Sequence, residues 1–115
     1  MKLPAEGVLL RIFIGASDLH DGEALYHVIV RKAREMNLAG ATVLRGIEGF
    51  GAASRIHTAS ILRLSEDLPI VIEIVDREDK VRALLPFLDE VVREGLVTME
   101  RVQVITYRHR QEEDG

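Results

Sequence analysis

Two stretches of this chain alternate like β-strands, yet in each of them both phases of the alternation are apolar. Val8-Leu9-Leu10-Arg11-Ile12-Phe13-Ile14 and Ile70-Val71-Ile72-Glu73-Ile74-Val75 put Ile12, Ile14, Ile70, Ile72 and Ile74 on one side. Leu9, Phe13, Val71 and Val75 fall on the other. Side chains of a strand point alternately to its two faces, and a sheet with water on one side is polar in one phase. These strands therefore require cover on both faces. Only Arg11 and Glu73 interrupt the second apolar phase.

Helices can cover one of those faces. From Glu23 to Asn37 the apolar residues Leu25, Val28, Ile29, Ala33 and Met36 recur at helical spacing, after the turn chemistry of Ser17 to Gly22, where Ser17, Asp18 and Asp21 are candidate caps. Asp76 reads as the cap of a second helix over 77–94. That helix turns Val81, Leu84, Leu85, Leu88, Val91 and Val92 inward, with a kink or a split into two pieces expected at Pro86 and a stop at Gly95. Ala41–Arg45 and Val97–Tyr107 supply two more strands, and residues 108–115 form a charged tail.

The order β-α-β, long connection, β-α-β predicts an α+β fold. It is a ferredoxin-like βαββαβ sandwich with a four-stranded antiparallel sheet and two helices on one face, in one domain spanning residues 1–115. The second sheet face then expects other copies of the same chain, across an interface of Leu9, Arg11, Phe13, Val71, Glu73 and Val75. Arg11 and Glu73 sit on neighbouring strands of this topology and predict a cross-strand ion pair.

Composition narrows the chemistry. The 115 residues include no cysteine, so disulfides, thiolate metal sites and cysteine nucleophiles are excluded. A formal net charge of −4 argues against nucleic acid as the partner. No apolar run approaches the roughly 18 residues of a membrane span, and Met1-Lys2-Leu3-Pro4 does not open a signal peptide, so a cytoplasmic protein is expected.

The connection over residues 46–67 is far longer than the roughly 2–5 residues of a hairpin loop, which marks it as functional. Its glycines, Gly46, Gly49 and Gly51, can turn backbone N–H groups toward an anion. Between Arg45 and Ser65 the only acid is Glu48, against Arg45, Arg55, His57 and Arg63. Such a cationic loop on an acidic chain points to an anionic ligand or partner surface. Other constellations are weaker. Asp18, His20 and Asp21 are better explained by a capping turn than by a hard-metal site, and His57 near Ser54, Thr58 and Ser60 lacks an orienting acid. No complete catalytic set is present, and no enzyme is expected.

Gly46-Ile-Glu-Gly-Phe-Gly51, His57-Thr58 and Leu68-Pro69-x-Val71-Ile72-Glu73-Ile74-Val75 resemble the corresponding region of PII signalling proteins. There a long T-loop leaves the sheet after Gly-Phe-Gly and returns at Leu-Pro. Arg11-Ile-Phe-Ile-Gly15, Leu25-Tyr26, Ala39-Gly-Ala-Thr-Val43, Ile56-His-Thr58 and Leu64-Ser65 are similar to an uncharacterised PII-like branch, domain-of-unknown-function family 190.

The resemblance implies a homotrimer that binds a small anionic effector, such as an adenine nucleotide, between subunits and presents its loop to a transporter or enzyme. In it Gly49 and Gly51 match the T-loop base, and Tyr107, Arg108 and Arg110 resemble the strand end whose arginines reach nucleotide phosphates. With Arg45, Gly46 and Phe50 from the loop reading they are the expected ligand residues, and Ser54, Arg55, His57, Thr58 and Arg63 are the expected partner residues of the loop. Where PII proteins carry a glycine- and lysine-rich phosphate grip, this chain reads Arg93-Glu-Gly-Leu-Val-Thr-Met-Glu100. The tyrosine that some PII proteins have uridylylated in the T-loop has no counterpart, since none occurs between Tyr26 and Tyr107. The alternatives are an enzyme acting on a phosphorylated or nucleotide substrate in the same cleft, and a trimeric metal- or stress-related protein of this fold using Asp18, His20 or His57.

Overall fold

A computed structural model of the chain describes residues 6–50 and 68–108. In chain order the elements are β1 (Glu6–Gly15), β2 (Leu19–His20), β3 (Glu23–Ala24), α1 (Leu25–Glu35), β4 (Thr42–Arg45), β5 (Pro69–Asp76), α2 (Glu78–Val91) and β6 (Leu96–Gln103). The main sheet runs β4-β5-β1-β6, antiparallel at every pairing. This is the predicted ferredoxin-like order.

The core lies where the periodicity put it. Val8, Leu10, Ile12 and Ile14 of β1 and Ile70, Ile72 and Ile74 of β5 are buried against Leu25, Ile29 and Ala33 of α1 and Val81, Leu84, Leu88 and Val91 of α2. Ile12 stands directly opposite Ile72, so the two rows form one continuous apolar floor.

The α1 entry differs from the capping turn read in the sequence. Asp21 and Gly22 both take positive φ, 51° and 82°, and close a two-residue hairpin between β2 and β3. Positive φ at both turn residues suits the right-handed twist of the flanking strands, and Asp-Gly is a favoured pair for it. Asp18 bonds backward rather than capping α1. Its Oδ2 accepts the Gly15 N–H at 2.9 Å, while its carbonyl accepts the Leu25 N–H at 2.8 Å. At the other end, the N–H of Leu38 reaches the Ala33 carbonyl and that of Asn37 reaches Arg34, with Asn37 at φ 61°. These bonds form a Schellman closure with asparagine in the left-handed position.

α2 starts at Glu78, one residue later than expected, with Arg77 at the cap position. The side chain of Asp76 is turned into the core instead. α2 runs as one element across Pro86 and ends at Val91 rather than Glu94, so the proline does not split it. The turn after it needs Gly95, because a Cβ there would lie 2.5 Å from the Phe13 carbonyl oxygen. β6 stops at Gln103, short of the expected Tyr107. Beyond it the chain crosses the end of the sheet, past Gly7 and Val104, until Tyr107 reaches the α1–β4 connection.

Candidate functional site

The face of the sheet away from the helices is open, and it carries the predicted ion pair. Arg11 stands opposite Glu73, with Nε 3.0 Å from Oε2, and its Nη1 lies 3.0 Å from Glu100 Oε1. The Glu73 hydrogen bond is the foremost influence on the guanidinium; with the charges of Glu73 and Glu100 it outweighs partial desolvation and raises the Arg11 pKa. No periodicity in the sequence singles out Glu100. Its signal is the pairing of Leu9 with Glu100 and of Arg11 with Thr98, which brings Glu100 diagonally beside Arg11. Leu9, Phe13, Val71 and Val75 surround these charges half-buried. Leu44, opposite Val71, and Leu96, opposite Phe13, extend the apolar surface outward to both edges.

The expected ligand residues divide between the two ends of this sheet. At the Pro69 end, Arg45 closes β4, and the Gly46 N–H donates to the Pro69 carbonyl at 2.8 Å. A Cβ on Gly46 or Gly49 would meet Pro69 Cγ at 2.8 or 3.0 Å, so both glycines let the chain fold closely over that ring. Ile47 and Phe50 stand out from this turn, 94% and 76% exposed. Arg45 is exposed too.

At the opposite end, α1, the α1–β4 connection and Tyr107 enclose a groove of about 720 Å³. Val30, Ala33, Leu38, Ala39 and Ala41 supply an apolar lining, and Arg34 brings a positive charge. The Tyr107 hydroxyl donates to the Ala39 carbonyl at 3.4 Å, and Arg108 follows, exposed. Pro69 and Asp76 bound β5, so at roughly 3.3 Å per residue the two ends lie about 23 Å apart. One subunit thus does not bring Arg45 and Arg108 together. Gly51, Ser54, Arg55, His57, Thr58, Arg63 and Arg110 lie outside the described residues.

Among the described candidates for a metal, Asp18, His20 and Asp21 form no ligand group. His20 Nε2 is 3.5 Å from Asp21 Oδ2, and Asp18 is committed to Gly15. Among the described residues no three His, Asp or Glu side chains are grouped to hold a metal ion. His20 and Asp21 instead edge a second groove of about 320 Å³ with Arg31, Lys32 and Phe87. There Arg31 pairs with Glu23 at 2.8 Å, and the Lys32 ammonium sits 5.2 Å above the Phe87 ring. No described helix is long and apolar enough to cross a membrane.

Comparison with known proteins follows the same architecture. The chain is 38% identical over 99 residues to a UPF0166 protein of Aquifex aeolicus, covering 84% of this chain and 91% of that one. It is 37% identical over 90 residues to a UPF0166 protein of Methanocaldococcus jannaschii, covering 77% and 82%. Among solved structures it is similar to CPII of Thiomonas intermedia K12 bound to ADP, AMP and acetate, with a TM-score of 0.63, 18% identity and 90% and 92% of the two chains covered. A PII-like signaling protein of Thermus thermophilus matches with a TM-score of 0.62, 19% identity and 91% and 94% coverage. At these identities the structures speak for the fold alone. The model of the DUF190 family, described as "Uncharacterized ACR, COG1993", matches residues 7–104, and with the curated relatives it places this chain in the DUF190 family, whose fold here is PII-like.

Proposed function

We propose that this protein is a trimeric, PII-like regulatory protein that takes an adenine nucleotide or another small anion in clefts between subunits. Its long loop, with Ser54, Arg55, His57, Thr58 and Arg63, is then offered to a partner protein. The observation that carries this reading is the division of the candidate ligand residues between opposite ends of β5. Glycine backbone and Arg45 stand at one end, and the Tyr107 groove with Arg34 and Arg108 stands at the other. Each end carries only part of the expected ligand set, and packing copies through the open apolar face can bring one end of a subunit beside the other end of its neighbour. The CPII structures, which hold ADP with AMP and acetate, with AMP and bicarbonate, or with bicarbonate, support the choice of ligand class.

Light scattering and calorimetry on the full chain test this. A trimer mass is expected, with ADP or AMP binding that weakens about tenfold or more in Arg45→Ala and in Arg108→Ala, since a charge-assisted contact is lost in each. Trimers mixed from the two variants should regain some tight sites, because some clefts then combine an intact Arg45 with an intact Arg108. A monomer mass at micromolar concentration, or unchanged affinity in both variants with the trimer intact, overturns the reading.

A further inference from the structure

Asp76 is the buried carboxylate that none of these roles uses. It occupies the core phase of β5, next in line after Ile70, Ile72 and Ile74, and is fully buried. A carboxylate in that position is costly unless its oxygens are hydrogen-bonded. Both are. Oδ1 accepts the Arg77 N–H at 2.7 Å, and Oδ2 accepts the Ala39 N–H at 2.8 Å.

The second bond is the informative one, because it leaves the junction of β5 and α2 and crosses to the α1–β4 connection. Ala39 is thereby held from both sides: its N–H by Asp76, its carbonyl by the Tyr107 hydroxyl. Lys80, in the first turn of α2, adds a third tie by donating to the Asn37 carbonyl at 2.6 Å. Leu38, Ala39, Gly40, Ala41 and Tyr107 are lining residues of the 720 Å³ groove. An apolar side chain at position 76 would serve the core as well as its isoleucine neighbours do. It would leave the Ala39 peptide without this partner.

We infer that Asp76 is a positioning residue for the groove, fixing the Ala39 peptide, and through it Tyr107, from inside the core. The inference rests on the groove being half of the ligand cleft, and its test separates the two claims. In the free wild-type chain, hydrogen exchange should show the Ala39 amide strongly protected although it lies outside every helix and strand. Exchange at the rate of an open loop overturns the inference whatever the protein binds.

In Asp76→Asn the amide group cannot accept on both sides. Ala39 exchange should therefore rise about tenfold or more relative to the amides of α2, and ADP affinity should fall by a similar factor. Ile74→Val serves as the control, a loss of core packing without loss of the bond, and should leave ADP affinity unchanged. Equal effects of the two variants on affinity reduce Asp76 to a stability residue and overturn the inference. If the wild-type chain binds no nucleotide, the functional proposal fails, and the exchange arm still decides the role of Asp76. Lys80→Met, which leaves the core intact, should loosen the same connection to a smaller degree, and unchanged Ala39 exchange in that variant also counts against the inference.

Discussion

The helix-covered face of the sheet and its open face are carried by alternate residues of the same two central strands, yet they end in different states. On the covered side Ile12, Ile70, Ile72 and Ile74 are shielded by α1 and α2, and the chain satisfies itself. On the open side Leu9, Phe13, Val71 and Val75 remain half-buried around Arg11, Glu73 and Glu100. Identical strand chemistry is therefore satisfied within one chain on one side, and on the other leaves an apolar face that the proposed trimer would cover, which would make that part of the stability depend on protein concentration.

The difference can be tested by substitution. Ile72→Ala carries the largest expected effect, a loss of about 2–5 kcal/mol from the cavity left in a fully buried site. Urea denaturation measures it, and if Val71→Ala costs the isolated subunit as much, the two faces are not distinct in the way described. Phe13→Glu should act on the other side, giving a monomer mass by light scattering with an unchanged circular dichroism spectrum. Loss of the fold rather than of the assembly would show that the open face serves the subunit core.

Smaller effects sharpen the picture of the charged centre. Glu73→Gln should weaken assembly less than Glu73→Gln with Glu100→Gln, because Glu100 still holds Arg11 in the single variant. Sedimentation at several concentrations distinguishes them, and equal dissociation in both would remove Glu100 from the cluster. The smallest effect lies away from both faces. The hydrogen bond from Arg82, reinforced by the charges of Arg82 and Arg101, holds the Glu78 carboxyl below its ordinary value, against slight desolvation. A depressed carboxylate contributes stability that is complete above the ordinary carboxylate range and is lost as pH falls through the folded value. Glu78→Gln should thus reduce stability slightly at neutral pH and flatten its acid decline, as thermal melts across that range would record.

Much of this architecture is legible in residue order. The alternation in β1 and β5 exposes both faces at once, and the same pattern places Arg11 opposite Glu73 because their strands are neighbours in a ferredoxin-like sheet. Local pattern misleads where a residue serves a distant partner. Asp76 looks like a helix cap because it precedes a helix, whereas its place in the isoleucine phase was the better signal. Asp18, His20 and Asp21 read as caps or ligands, while the Asp21-Gly22 pair announced a hairpin too short to show an alternation of its own. Tyr107 reads as strand end, and its contact with Ala39 depends on a crossing that no spacing in the chain encodes.

The sequence by itself determined the two helices and four main strands, their order and the apolar phases, since these follow from periodicities of two and 3.6 residues that only near neighbours in the chain must satisfy. Tertiary structure alone decided that Arg45 and Arg108 stand at opposite ends of one sheet, that Glu100 shares Arg11 with Glu73, and that a core carboxylate holds the Ala39 peptide. Each of these depends on strand register and on where the chain goes after a strand ends. Those are fixed by packing among residues far apart in the chain, and no periodicity records them.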